Sequence, residues 1–307
     1  MFKIDWKFIP VGALVASLGL AACGAQATLN QALSSVDASP YLQMHVTASV
    51  SGSGSGVTQA QQVLSLLSYD VSEVSTTGSP LSSSGSKIDS EVKVDVGTQS
   101  LVDLREVGTN LYVYVDVNAL AKIPGANVSS QELSTLQLIL GGRWFEISES
   151  LLSSYAKTPK PDPAKVAQDQ AEVQQLIKSL TKVIEATKYT TLPNGGFSQT
   201  GKLATIAAAL LPTIDQISGR QLSSSPVPGT YKIAVTLSGT TATGGSIQIT
   251  APNGTAGNET VGLKATIAHQ TLSVDAPTGA TVITPQLLKG LEGQLPSAST
   301  SSIASAV

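Results

Sequence analysis

Tyr41-Leu-Gln-Met-His-Val-Thr-Ala-Ser-Val50 alternates without a break. Leu42, Met44, Val46, Ala48 and Val50 fall on one side, and Gln43, His45, Thr47 and Ser49 on the other. Successive side chains of an extended chain point to opposite faces, so a period of two marks a strand with one buried face and one wet face. A parallel sheet covered on both sides would show a continuous apolar run instead. The stretch therefore predicts a one-sided antiparallel sheet.

The same period recurs on both sides of it. Val92, Val94 and Val96 alternate with Lys93 and Asp95, and residues 101–107 form a less regular strand. Gly108-Thr109-Asn110 is a short turn before Leu111, Val113, Val115 and Val117, which completes a hairpin. Arg143-Trp-Phe-Glu-Ile147 follows a Gly-Gly pair. Toward the C-terminus come Tyr231 to Leu237, Ile247 and Ile249, Val261 to Ile267, and Leu272 with Val274.

Helical spacing separates these blocks. Leu29, Leu33 and Val36 predict a short helix ending near Ser39-Pro40, and residues 57–68 a weaker one with Val63, Leu66 and Leu67 on one side. Asp162-Pro163 opens a long helix to about Thr187, an N-cap followed by proline at the first helical position. A second begins near Thr200, carries Leu203, Ile206, Leu210 and Leu211, and ends at Gly219. Its centre is apolar nearly all round, which predicts burial on more than one side. The expected fold class is α+β: a curved antiparallel sheet, or half-barrel, with helices packed on its concave face. Residues 23–295 form a single domain in this reading, and 296–307 a disordered Ser/Ala-rich tail.

The N-terminus carries an address. Lys3 and Lys7 precede a mostly apolar, uncharged run from Phe8 to Leu20, and Leu20-Ala-Ala-Cys23-Gly24 closes it. Positive, apolar and small residues in that order are the grammar of a signal peptide, here residues 1–22. The apolar run falls short of the roughly 20 residues a spanning helix needs. Leu-Ala-Ala-Cys resembles the bacterial lipobox, and Cys23 is the sole cysteine in the chain. The resemblance implies cleavage between Ala22 and Cys23, diacylation of the Cys23 sulfur, and export to the outer face of the cell membrane or elsewhere in the envelope.

Composition narrows the function. The chain has 18 basic and 21 acidic side chains, a net charge of −3, and no basic run. Nucleic-acid binding requires clustered Lys and Arg to displace counterions, so that class is excluded, as is electrostatic docking on an anionic membrane. Membrane attachment rests on the lipid of Cys23. His45 and His269 have no ligand partners at helical spacing, so no metal site is expected. Ser-x-x-Lys occurs at Ser84, Ser154 and Ser179 without a Lys-Thr-Gly companion, and no Gly-x-Ser-x-Gly turn or phosphate-cradling loop is present. No catalytic residue and no cofactor are predicted. What remains is an excess of apolar surface. Leu203, Ile206, Leu210 and Leu211, with Trp144 among the aromatics Tyr112, Tyr114 and Phe145, are the candidate lining of an apolar pocket.

The hairpin Leu101-Val-Asp-Leu-Arg-Glu-Val-Gly-Thr-Asn-Leu-Tyr-Val-Tyr-Val115, the strand Gly142-Arg-Trp-Phe-Glu-Ile147 and the late segment Leu272-Ser-Val-Asp-Ala-Pro277 follow a lipobox and an N-terminal helix. In that order they resemble actinobacterial lipoproteins of the LppX/LprG type and, more distantly, LolA-like lipoprotein carriers. The resemblance implies a half-barrel that shields an acyl-chain cavity with helices. It also implies a non-enzymatic function, binding or carrying an apolar lipid, glycolipid or lipidated ligand. The alternative is a structural or interaction lipoprotein of the envelope without a pocket.

Overall fold

The computed structural model describes residues 31–155, 189–218, 227–252 and 257–292, except 33, 37, 54, 85–86, 127 and 194, together with positions 171, 175 and 179. The expected signal peptide, Cys23 and the tail 296–307 lie outside the described residues. So does the helix opened by Asp162-Pro163, apart from Ala171, Gln175 and Ser179, which are helical.

The chain is α+β and is built on one large, mostly antiparallel sheet. Its strands are β1 (Tyr41–Ser51), β2 (Leu67–Ser75), β3 (Ile88–Val96), β4 (Gln99–Val107), β5 (Asn110–Val115), β6 (Trp144–Ser148), β7 (Thr190–Thr191), β8 (Phe197–Lys202), β9 (Thr230–Ser238), β10 (Thr241–Pro252), β11 (Asn258–Ala268) and β12 (Thr281–Val282). The described helices are α1 (Ser55–Leu64), α2 (Leu81–Ser84), α3 (Val117–Leu120), α4 (Ser130–Leu140), α5 (Glu149–Tyr155), α6 (Leu203–Ser218) and α7 (Pro285–Glu292).

All twelve strands join in one order: β12-β6-β5-β4-β3-β2-β1-β11-β10-β9-β8-β7. Only the β12–β6 pair is parallel. The sheet does not close, and each edge is a strand of two residues. Short edges offer little backbone for another chain to pair with.

Three hairpins turn through Gly-Thr: 97–98, 108–109 and 239–240. Gly97, Gly108 and Gly239 all have φ near +60°. A two-residue hairpin turn needs that conformation at its first position, and glycine adopts it without a Cβ penalty. The turn at Gly108 is thus one residue tighter than expected, because Asn110 already pairs with Val107.

Several sequence expectations need correction. Helix α1 ends at Leu64, and Leu67 begins β2, a strand the periodicity hid. After Leu67, Tyr69 and Val71 the next position on that face is Glu73, which breaks the apolar pattern, yet β2 is paired along its length with β1 and β3. The helix expected from Thr200 begins at Leu203, because Gly201 and Lys202 still pair with Tyr231 and Thr230 of β9. Leu272 and Val274 belong to no strand. Residues 269–280 instead link β11 to β12. Gln270 Nε2 donates to Gln43 Oε1 at 2.9 Å, and the Asp275 carbonyl accepts from Arg105 Nη1 at 3.2 Å. Helix α4, which the periodicity did not single out, begins at a capping box. Ser129 Oγ accepts from the Glu132 N–H, and the Glu132 carboxylate accepts from the Ser129 N–H. The Ser129 hydroxyl, which donates to the Glu132 carboxylate at 2.6 Å, and then the Ser129 N–H hold the Glu132 carboxyl below the usual range.

Candidate functional site: the uncovered apolar face

The pairing register sorts every strand residue onto one of two faces. One row runs Phe145, Val113, Leu104, Val92, Val71, Met44, Ile267 across β6, β5, β4, β3, β2, β1 and β11. The next residue along each strand gives Trp144, Tyr114, Asp103, Lys93, Asp70, His45, Thr266. The sheet thus has an apolar face and a polar face, as the alternation of β1 foretold.

The apolar face is covered at both ends. Ala32 and Val36, from the helical residues before β1, pack with Leu42, Phe197, Val235, Leu237 and Ala242. Leu203 and Ile206 of α6 pack on Tyr231 and Ile233. At the other end Leu151 of α5, Leu140 of α4 and Ile283 cluster with Phe145 and Ile147.

Between these covers Met44, Val50 and Val96 are buried, but other residues of the face are exposed. Leu263 is 50 % exposed, Val261 45 %, Ile249 42 %, and Leu104 and Tyr69 37 % each. All five lie on the apolar face. Val46, Ala48, Val92 and Val94, which lie between them, are only half-buried. The strip crosses β4, β3, β2, β1, β11 and β10, about 24 Å at the usual strand spacing. Scattered exposed apolar residues are ordinary on a protein surface; five of them on the one face that should form the core are not.

The sequence-selected lining residues are not all brought together. Leu203 and Ile206 stand on the covered side, with Leu210 and Leu211 half-buried further along α6. Trp144 lies on the opposite, polar face, and eight strands separate β6 from β8. Its neighbours there are Tyr114, with ring centroids 5.4 Å apart, and the Arg105 guanidinium 4.7 Å above its ring. Arg105 reaches Asp103 through Nε and Nη2 at 3.3 and 3.0 Å, and Glu91 at 2.9 Å. Burial works against the Arg105 charge, but Asp103 and Glu91 outweigh it and hold its pKa above the ordinary value. Burial, then the Asp103 charge, pushes the Glu91 carboxyl up against the pull of Arg105 and Lys93.

Tyr231, at 2 % exposure, is enclosed beside α6, and its hydroxyl has no hydrogen-bond partner among the described residues. Its ring lies on Gly201: a Cβ there would stand 2.5 Å from two ring carbons and from the hydroxyl oxygen. A smaller cleft of about 300 Å³ opens beside Phe145, between Leu138 and Ile139 of α4 and Gln286 and Leu287 of α7. Arg143 borders it and donates to the Leu138 carbonyl at 2.8 Å, closing the end of α4.

The polar candidates are locally engaged. His45 Nδ1 is 2.8 Å from Asp70, and His269 contacts the Ala242 carbonyl. The Ser84 hydroxyl bonds to Ser75 Oγ at 2.7 Å and to the Pro80 carbonyl at 2.9 Å. Among the described residues no group of three His, Cys, Asp or Glu converges as a metal site, and no helix is long and apolar enough to cross a membrane. No protein-family model matches the chain, and no curated protein matches it.

The open strip is the feature sequence reasoning missed. Its residues were read as strand, and period two names the face a side chain occupies. Whether anything covers that face is a long-range property with no local signal.

Proposed function

We propose that this chain is a lipid-anchored protein of the cell envelope that holds an apolar lipid chain against the open face of its sheet. The single observation that carries the reading is the exposure of Leu104, Tyr69, Leu263, Val261 and Ile249 on one apolar face of the sheet. Each buried methylene of a ligand contributes about 0.8 kcal/mol, so a strip of this length suits an extended hydrocarbon chain.

In this reading the sheet is a half-barrel. Twelve twisted strands in one open sheet tend to curl. The helices then lie on the concave side, where Leu203 and Ile206 already meet Tyr231 and Ile233. The Leu20-Ala-Ala-Cys23 motif supports attachment through acylated Cys23. Likeness to LppX/LprG-type lipoproteins rests on the hairpin 101–115 and the strand 142–147, which is β5's neighbour β6 in the sheet.

Native mass spectrometry of the purified full-length chain tests the proposal. A co-purified lipid, or binding of an added fluorescent fatty-chain probe, is the expected result. A chain that carries no lipid and binds no such probe overturns it and leaves a structural or interaction lipoprotein.

A further inference from the structure

Within the described strands the apolar face carries charge of one sign; outside them, Arg143 holds its guanidinium over the Phe145 ring on that side. Lys93, Arg105, Lys202, Lys232 and Lys264, the basic residues of the described strands, all fall on the polar face. The apolar face instead holds Glu73 on β2, Glu106 on β4 and, at the far end of β11, Glu259. Glu73 and Glu106 belong together. Glu73 pairs with Ser90, and Ser90 pairs with Glu106, so the three form one row across β2, β3 and β4. The two carboxylates stand about 10 Å apart, two strand spacings.

This row borders the open strip. Directly along the strands, the next residues on the same face are Val71, Val92 and Leu104, then Tyr69, Val94 and Val102. Glu73 and Glu106 are half-buried, and neither forms an ion pair or hydrogen bond among the described residues. Burial pushes the Glu73 carboxyl above its ordinary value. A carboxylate on an apolar face costs free energy unless something pairs with it. Two such groups flanking a hydroxyl, beside apolar rows in which Leu104 and Tyr69 are exposed, have the layout of a head-and-chain site.

We propose that the strip binds an amphiphile with a cationic ammonium head, the head seated on Glu73, Ser90 and Glu106 and the chain laid over Val71, Val92 and Leu104. This rests on the lipid-binding reading above and adds the head chemistry. An ammonium placed over Ser90 lies between the two carboxylates, donates to one of them and offsets part of their combined charge. A carboxylate or phosphate head would meet two like charges with no basic side chain of the described strands on that face to offset them; Arg143, beside Phe145 on β6, is held by the Leu138 carbonyl.

The test uses the full-length Cys23→Ser chain, which cannot be acylated on that sulfur. Dodecylammonium, dodecyl maltoside and dodecanoate share a twelve-carbon chain and differ in head. They are titrated calorimetrically below their micelle-forming concentrations. Dodecylammonium should bind at least tenfold more tightly than dodecyl maltoside, and dodecanoate most weakly. The Glu73→Gln/Glu106→Gln variant should lose at least fivefold of the ammonium preference and keep its affinity for dodecyl maltoside. Equal affinity for the three heads, or preference for dodecanoate, overturns the head assignment and leaves lipid binding intact. So does a double variant that keeps the preference. Failure of all three probes to bind overturns lipid binding itself.

Discussion

Arg105→Met removes the cation from a cluster on the polar face while keeping an apolar stem over Trp144. In the native fold the guanidinium bonds Asp103 twice, Glu91 once and the Asp275 carbonyl once. The Asp103 side chain is 7 % exposed, those of Arg105 and Glu91 25 % and 22 %. Breaking a buried charge pair by deleting one partner costs about 3–5 kcal/mol. Arg105 and Glu91 keep some water, so the expected loss is at the lower end, about 3 kcal/mol. The pH dependence has a definite sign. Glu91 already titrates above the usual glutamate range, with burial the first cause and Asp103 the second, and deleting Arg105 removes a charge that pulls it down. A carboxyl raised in the folded state favours folding below its unfolded pKa and loses that contribution as pH rises through the folded value. The variant's deficit should therefore be full at pH 7 and shrink as pH falls into the carboxylate range. Urea unfolding of wild type and variant, from pH 7 down to pH 5, measures this. The triple variant Arg105→Met/Asp103→Asn/Glu91→Gln should recover most of the loss, because no charge is left unpaired. A deficit under 1 kcal/mol at pH 7, or one that grows on acidification, refutes the argument.

Three further outcomes can be measured, the first resting on the sequence motif and the other two on the fold. Cys23→Ser should move the protein out of the detergent phase or leave it uncleaved, since serine has no thiol to acylate; membrane retention with normal cleavage after Ala22 would contradict the anchor. Leu263→Arg should change unfolding free energy by less than about 1 kcal/mol, because half of Leu263 already meets water, and should weaken binding of a fluorescent fatty-chain probe at least tenfold. A variant that collapses would show that the strip is covered. Gly201→Ala should destabilise by about 1–3 kcal/mol through the Tyr231 ring, and Gly201→Ala/Tyr231→Leu should lose less than the sum of the two single changes in a denaturation cycle.

Much of the sheet was legible in the sequence because period two is a local property. The alternation of Leu42 to Val50 placed β1 and its faces correctly, and Leu111 to Val115 and Tyr231 to Leu237 did the same for β5 and β9. Where a polar residue stood on the apolar face, the local signal failed. Glu73 hid β2, and that same glutamate borders the proposed site. Gly201 and Lys202 read as the start of a helix because strand pairing with β9 is visible only across the chain. The candidate lining shows the same limit. Trp144 and Phe145 are neighbours in sequence and point to opposite faces, so aromatic composition could not say which belonged to a pocket.

The sequence by itself determined that the chain makes one-sided antiparallel strands, which residues share a face, and that Cys23 follows signal-like residues, since each depends on spacing of a few residues. The tertiary structure decided the strand order, the crossing of residues 269–280, and above all which part of the apolar face the helices reach. That last outcome depends on contacts between segments far apart in the chain. Leu104 and Leu263 therefore look like core residues in sequence and stand exposed in the fold.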